Sequence, residues 1–180
     1  MEREQIRISV RNLVEFILRS GDIDNRRASL DTMEAMQAGS RLHRKIQKKM
    51  GSTYHAEVPL NIIIEEENYE LGIWGRADGI IIEEKVTIDE IKGVYLSLDL
   101  LEEPVKVHLA QAKCYAYIYG IQNDLQKINV QMTYGNLDTG DLKYFSYEYS
   151  MQQLQEWFSD LILKYKKWAD FQYEWRKKRQ

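Results

Sequence analysis

The apolar positions of this chain change period several times, and each change marks an element. Near the N-terminus Leu13, Phe16, Ile17 and Leu18 supply a helical stripe, with Ser9 as N-cap and Gly21 as stop. Gly21–Arg27 is a polar loop, in which Arg26 and Arg27 need be nothing more than a solvated turn. A second helix is expected after Ser29, running to about Met50. Its inward line is Met36, Gly39, His43, Ile46 and Met50, in helical steps of three and four. Arg41, Arg44, Lys45, Lys48 and Lys49 spread over its other faces. Residues 54–74 switch to strand. Glu57–Leu60 leads into Asn61–Ile64, a turn falls near Glu67–Asn68, and Tyr69–Trp74 follows, with Pro59 pointing to an edge or a strand start. Residues 94–102 read as a loop or short strand. A helix from Pro104 to about Tyr119 comes next, with Glu102 and Glu103 suiting its dipole and Gly120 as its stop. Two alternating stretches, 127–135 and 143–149, are strands joined by a turn at Asn136–Asp141. Ser150 and Gln153 make a capping box for a last helix, with Leu154, Trp157, Phe158, Leu161, Ile162, Tyr165 and Trp168 as its stripe.

The middle of the chain, Gly75–Gly93, is a hairpin signal. Ile80–Ile82 and Val86–Ile91 flank Glu83-Glu84-Lys85. Alternation puts Val86, Ile88, Glu90 and Lys92 on one face and Thr87, Asp89 and Ile91 on the other. With Glu83–Lys85 as the loop, Ile82 sits opposite Val86, Ile80 opposite Ile88, and Asp78 opposite Glu90. Directly paired residues hold their Cβ atoms about 4.5–5.5 Å apart. Two carboxylates so placed repel unless a hard divalent cation lies between them, and the Lys92 ammonium shares their face. A two-residue loop would put Asp78 on the wrong side. Asp89 faces away from Glu90 and, like Glu65-Glu66-Glu67, is most simply solvated.

Composition narrows the class. At 180 residues, with 44% apolar and 29% charged residues, the chain is expected to be a single domain with a real core. The segments are 1–53 (N-terminal helices), 54–149 (sheet with the helix that carries Gln111 and Tyr115) and 150–180 (C-terminal helix). A net charge of −3 does not favour holding nucleic acid by bulk electrostatics, so such a partner needs locally clustered basic groups. One cysteine, Cys114, makes no internal disulfide and no four-cysteine zinc or iron–sulfur site. No apolar run approaches about 18 residues and no signal-peptide pattern opens the chain. The expectation is a soluble, cytoplasmic protein with no membrane partner.

Asp78 followed by Glu90-Ile91-Lys92 resembles the core of the PD-(D/E)xK nuclease superfamily, in particular its RecB-like branch. Other segments extend the resemblance. Gly39-Ser40-Arg41-Leu42-His43 looks like the glycine-to-histidine segment ahead of the catalytic hairpin, and Gln111-Ala112-Lys113-Cys114-Tyr115 like the Gln-x-x-x-Tyr motif after the catalytic lysine. Together they span roughly residues 9–149. The resemblance implies an α/β (mixed α+β) restriction-endonuclease-like core, with a central mixed sheet flanked by helices. It implies Asp78, Glu90 and Lys92 as catalytic residues. His43, Asp78, Glu90 and the Ile91 backbone carbonyl would be ligands of Mg²⁺ or Mn²⁺, and Gln111 and Tyr115 substrate-binding residues. Glu57 stands where such enzymes often carry a further acid; an exposed strand glutamate is the plain alternative. The single cysteine makes this a member without the iron–sulfur cluster of some relatives.

The activity so implied is metal-dependent hydrolysis of DNA phosphodiesters, as an exonuclease of repair or recombination, joined to a helicase domain or subunit. The main alternative is a catalytically silent DNA-binding or scaffold module on the same fold. A small-molecule hydrolase has neither nucleophile elbow, phosphate loop nor zinc spacing to support it. His55 and His108 stand alone and read as structural. Tyr144, Tyr147 and Tyr149 are either base-stacking residues or ordinary strand aromatics. The basic Trp175–Arg179 end is either a phosphate contact or a solvated tail. Its lack of a helix C-cap suggests a piece of a longer protein.

Overall fold

The structure, a computed structural model, describes residues 3–18 and 32–179. The expectations at Gly21, Arg26, Arg27 and Ser29 lie outside the described residues. In chain order the elements are β1 (Glu4–Ser9), α1 (Val10–Leu18), α2 (Thr32–Lys48), β2 (Tyr54–Glu65), β3 (Tyr69–Ile82), β4 (Val86–Val94), α3 (Lys106–Gln122), β5 (Lys127–Asn136), β6 (Leu142–Ser150) and α4 (Met151–Arg179). A short 3-10 turn, Leu98–Leu100, follows β4.

β3 organises the sheet. Along one edge it pairs antiparallel with β2 from Glu70 to Ile81. Its other edge is shared: β1 runs parallel to Tyr69–Trp74, and β4 runs antiparallel to Gly79–Ile82. Between them, at Gly75–Asp78, that edge is open. β4 then pairs parallel with β5 across the α3 crossover, and β5 antiparallel with β6. The sheet is therefore mixed, in the order β1-β3-β4-β5-β6, with β2 on the far side of β3. The register confirms the hairpin loop at Glu83–Lys85, with Ile82 opposite Val86 and Ile80 opposite Ile88.

One face of the sheet carries the main core. Leu71, Ile73, Ala77, Ile80 and Ile88 meet Ala112, Ala116 and Ile118 of α3, Leu13 and Val14 of α1, and Leu154, Phe158 and Tyr165 of α4. Each large apolar side chain buried there contributes roughly 1.5–3 kcal/mol. On the opposite face a small separate cluster joins Leu42 and Ile46 of α2 to Ile91 and Leu137. Ile91 belongs to it because it points away from Ile88 and Glu90.

Several expectations are corrected here. No strand was expected before α1, yet β1 adds one, and Ser9 then caps α1 by accepting the Asn12 amide at 3.1 Å. The buried line of α2 is Leu42 and Ile46, whereas Met36 and Met50 are exposed and nothing lies close to Gly39. The helix meets the sheet only through its C-terminal half, so its inward face is set by Ile91 and Leu137. Phe16 and Leu18 of α1 are exposed; Val10, Leu13 and Val14 are buried instead. α3 starts at Lys106 and passes through Gly120, which lies under the Met151 side chain, to end at Gln122. Its last turn is closed by Asn123, whose backbone and side-chain N–H groups both donate to the Tyr119 carbonyl. The Ser150–Gln153 capping box forms in both directions, at 2.9 and 3.1 Å. No helix among the described residues is long and apolar enough to cross a membrane.

Candidate metal centre

The centre lies in the open edge of β3. There Asp78 has no ladder partner, and its Oδ2 accepts the Ile91 N–H of β4 at 2.7 Å. The side chain thus stands in for a missing backbone acceptor, and it is fixed by that bond. Opposite, on β2, Glu57 has φ +55°, a left-handed conformation that costs a glutamate energy. It too is skipped in the ladder, between Ala56↔Gly79 and Val58↔Ala77. The strand pair is therefore distorted at the level of the two acids, and the strained residue turns its carboxylate toward Asp78.

α2 completes this side. His43 Nδ1 lies 3.4 Å from Asp78 Oδ1. One ligand atom each from His43, Glu57 and Asp78 lie within 4.8 Å of one another, close enough to share a metal ion. One turn on from His43, the Gln47 amide donates both to Glu57 Oε1 and to the Asp78 carbonyl, each at 2.9 Å. Gln47 thereby ties the helix to both strands at the distortion. Sequence reasoning passed over it; the available signal was its i+4 spacing from His43 on one helix face.

Glu90 and Lys92 lie on the other side of Asp78. Glu90 is 4% exposed, and its Oε1 is 3.7 Å from the Lys92 ammonium. Its Oε2 is buried with no hydrogen-bond partner. Burial, and then the Asp78 carboxylate, push the Glu90 carboxyl well above its ordinary range, and Lys92 offsets this only in part. Two acids held together with an orphaned oxygen are the arrangement a hard cation would stabilise. The residues fit a divalent ion, with Asp78 as the shared corner of two half-sites: His43 and Glu57 on one side, Glu90 on the other. Glu90 itself does not join the His43–Glu57–Asp78 group.

Gln111 and Tyr115 of α3 are both 5% exposed. Tyr115 is seated on bare backbone: a Cβ at Gly75 would come within 2.6 Å of its hydroxyl. Burial and the nearby Glu90 raise its phenol pKa. Gln111 Oε1 is a second buried polar atom without a partner. Both side chains are packed under the sheet, Tyr115 beside the acids.

Asp89 was expected in solvent and is not. It is 1% exposed and accepts from Thr133 Oγ1 at 2.6 Å, Tyr54 Oη at 2.6 Å and Gln131 Nε2 at 3.3 Å. Burial still raises its pKa, although those donors oppose the shift. Its face is covered because the Tyr54 ring lies against Gly79, where a Cβ would meet it at 2.0 Å. Of the two single histidines, His55 is exposed. His108 meets the Tyr134 hydroxyl through Nδ1 at 2.9 Å, and burial lowers its pKa to about 4.

A mixed sheet with helices on both faces, forked at a strand that carries the first acid, is the restriction-endonuclease-like fold. The chain is similar to an alkaline exonuclease, LHK-Exo, from Laribacter hongkongensis. The identity is 15% and the TM-score 0.56, over 95% of this chain and 92% of that one. It is also similar to the crystal structure of SSO0001, at 21% identity and a TM-score of 0.56, over 91% of this chain and 78% of the other. At these identities the likeness is one of fold. No protein-family model and no curated protein matches the sequence.

Proposed function

We propose that this chain is a divalent-metal-dependent DNA nuclease of the RecB-like branch, acting as an exonuclease. The observation that carries the reading is the orphaned, buried Glu90 carboxylate beside Asp78, with the Lys92 ammonium 3.7 Å away. A silent scaffold has no use for a repulsive acid pair with a lysine on it, which favours the enzyme over the binding module. The alkaline exonuclease neighbour supports the same reading at the level of fold.

Asp78, Glu90, His43 and the Ile91 carbonyl would hold Mg²⁺ or Mn²⁺, with Glu57 as the further acid. When bound, such an ion polarises a phosphate oxygen and lowers the pKa of a coordinated water. Lys92 orients the attacking water and balances negative charge developing on the phosphate. Gln111 and Tyr115 remain the substrate-binding pair that the resemblance implies, although both are buried on α3. Association with a helicase, and a role in repair or recombination, follow from the resemblance to RecB-like nucleases.

The test is digestion of end-labelled linear DNA and internally labelled circular DNA, single- and double-stranded, with Mg²⁺, Mn²⁺ or EDTA. Metal-dependent loss of label from linear DNA only is expected. Lys92→Ala abolishes it while leaving the protein folded in EDTA, with a melting temperature lowered by the loss of the charge that offsets Glu90. Equal cleavage by wild type and Lys92→Ala refutes the assignment.

A further inference from the structure

We propose that the open sheet face formed by β1, β2 and β3 is a platform for single-stranded nucleic acid. Trp74 stacks on an unpaired base, and Arg7 and Arg76 meet the phosphates on either side. The proposal rests on the nuclease reading and names the form of substrate that reaches the metal centre.

The face is defined by register. Tyr115 covers Gly75 from the α3 side, so Trp74 and Arg76 point to the other side of β3. This is the side from which α2 reaches Asp78 with His43. No described helix covers the sheet here. Arg7 of β1 and Ile63 of β2 flank Gly72, whose backbone lies beneath the Arg7 and Gln5 side chains. The resulting trough has a volume of about 400 Å³ and contains Gln5, Arg7, Ile63, Gly72 and Trp74. Trp74 is 45% exposed and Ile63 53%, an unusual pair of large apolar groups for an open sheet face.

Charge and chemistry select the occupant. The Arg7 guanidinium lies over the Trp74 ring, 5.8 Å from its centroid, within cation–π reach. Arg76 is 66% exposed and stands next in the row, 3.9 Å from Glu57. At the far end of the trough the paired residues Glu65 and Glu70 are acidic. Glu57, paired with Arg76, and Asp78 make the end beside the metal centre acidic as well, so phosphates are drawn to Arg7 and Arg76 on either side of Trp74 rather than to either end of the face. Trp74 and Asp78 are about 13 Å apart along one strand at the usual rise, so a strand stacked at Trp74 runs on to the acids. An exposed indole beside arginines is the pattern of single-strand binders, because every base offers a π-face. Within a duplex those faces are hidden by neighbouring bases, which excludes this contact everywhere but at its ends.

The test is fluorescence anisotropy of a labelled oligothymidylate in EDTA, where no cleavage occurs. Trp74→Ala weakens binding by about tenfold, within the range of base–aromatic stacking, and Trp74→Phe retains most of it. An abasic strand of equal length binds wild type as weakly as the oligothymidylate binds Trp74→Ala; this arm needs no variant to fold. Arg76→Ala lowers the slope of log affinity against log salt by about 0.7, the value for one phosphate of a single strand. Unchanged binding in Trp74→Ala, equal binding of the abasic strand, or no oligonucleotide binding by wild type overturns the platform. The two readings fail separately. Stacking at residue 74 without Mn²⁺-dependent cleavage sinks the nuclease and leaves the platform. Cleavage with binding indifferent to residue 74 does the reverse.

Discussion

Glu90→Gln tests the balance of forces at the centre directly. In the metal-free protein the Glu90 carboxylate is buried, repelled by Asp78, and has one oxygen without a partner. The only attraction named for its charge, Lys92 at 3.7 Å, is outweighed, since the carboxyl pKa is raised. Gln keeps the shape and removes the charge. Relief of one unsatisfied buried acceptor is worth about 1–3 kcal/mol. For a chain of this size each kcal/mol moves the melting temperature by roughly 2–4 °C, so Glu90→Gln should melt roughly 2–12 °C higher in EDTA at neutral pH. The sign fixes the pH dependence. The unfolded carboxyl ionises near 4.5, the folded one higher. The wild type therefore loses stability through this group as pH rises above 4.5, a loss that Glu90→Gln lacks; the loss through the raised Asp89 carboxyl is common to both, and the two converge in acid. Saturating Mn²⁺ reverses the order: at a hundred times its Kd it adds about 2.7 kcal/mol to the wild type and much less to the variant. Differential scanning calorimetry across pH, with EDTA or Mn²⁺, reads all of this. A variant less stable than wild type in EDTA, or one with an equal Mn²⁺ response, refutes the reasoning.

Two further perturbations separate the supports of the centre from the centre itself. Gln47→Ala removes both bonds that hold Glu57 and the Asp78 carbonyl; Mn²⁺ affinity by titration calorimetry should fall about 10–100-fold, and unchanged affinity would show that the strained Glu57 needs no brace. Tyr54→Phe keeps the ring on Gly79 but deletes the hydrogen bond to Asp89. It should cost about 1.5–3 kcal/mol, read as a lower denaturation midpoint in urea with the Mn²⁺ response intact; an unchanged midpoint would remove Asp89 from the account.

Much of this was legible in the chain because it is local. The loop at Glu83–Lys85, the pairing of Ile80 with Ile88, the Ser9 cap and the Ser150–Gln153 box depend on residues close in sequence, and all formed as expected. Alternation also predicted Asp78 directly opposite Glu90, but the ladder stops one pair short, at Gly79↔Asp89, and Asp78 has no ladder partner. Local pattern failed where a face is chosen by a distant partner. Periodicity in α2 could not say that Leu42 and Ile46 are its buried apolar residues while Met36 and Met50 are exposed, because Ile91 and Leu137 decide that. Asp89 read as solvated since nothing nearby in sequence announces that Tyr54, Thr133 and Gln131 converge on it. β1 was invisible because its partner, Tyr69–Trp74, lies more than a helix pair away along the chain.

The sequence by itself determined the hairpin that ends beside the acids and the helices that flank it, since alternation, capping and turn chemistry act over a few residues. Only the tertiary structure decided that β1 and β4 share one edge of β3 and leave a gap there. That fork frees Asp78 to bond the Ile91 amide, across β3 from the left-handed Glu57. Ladder pairing is a property of strands brought together from far along the chain, and no local pattern encodes where one ladder stops and the next begins.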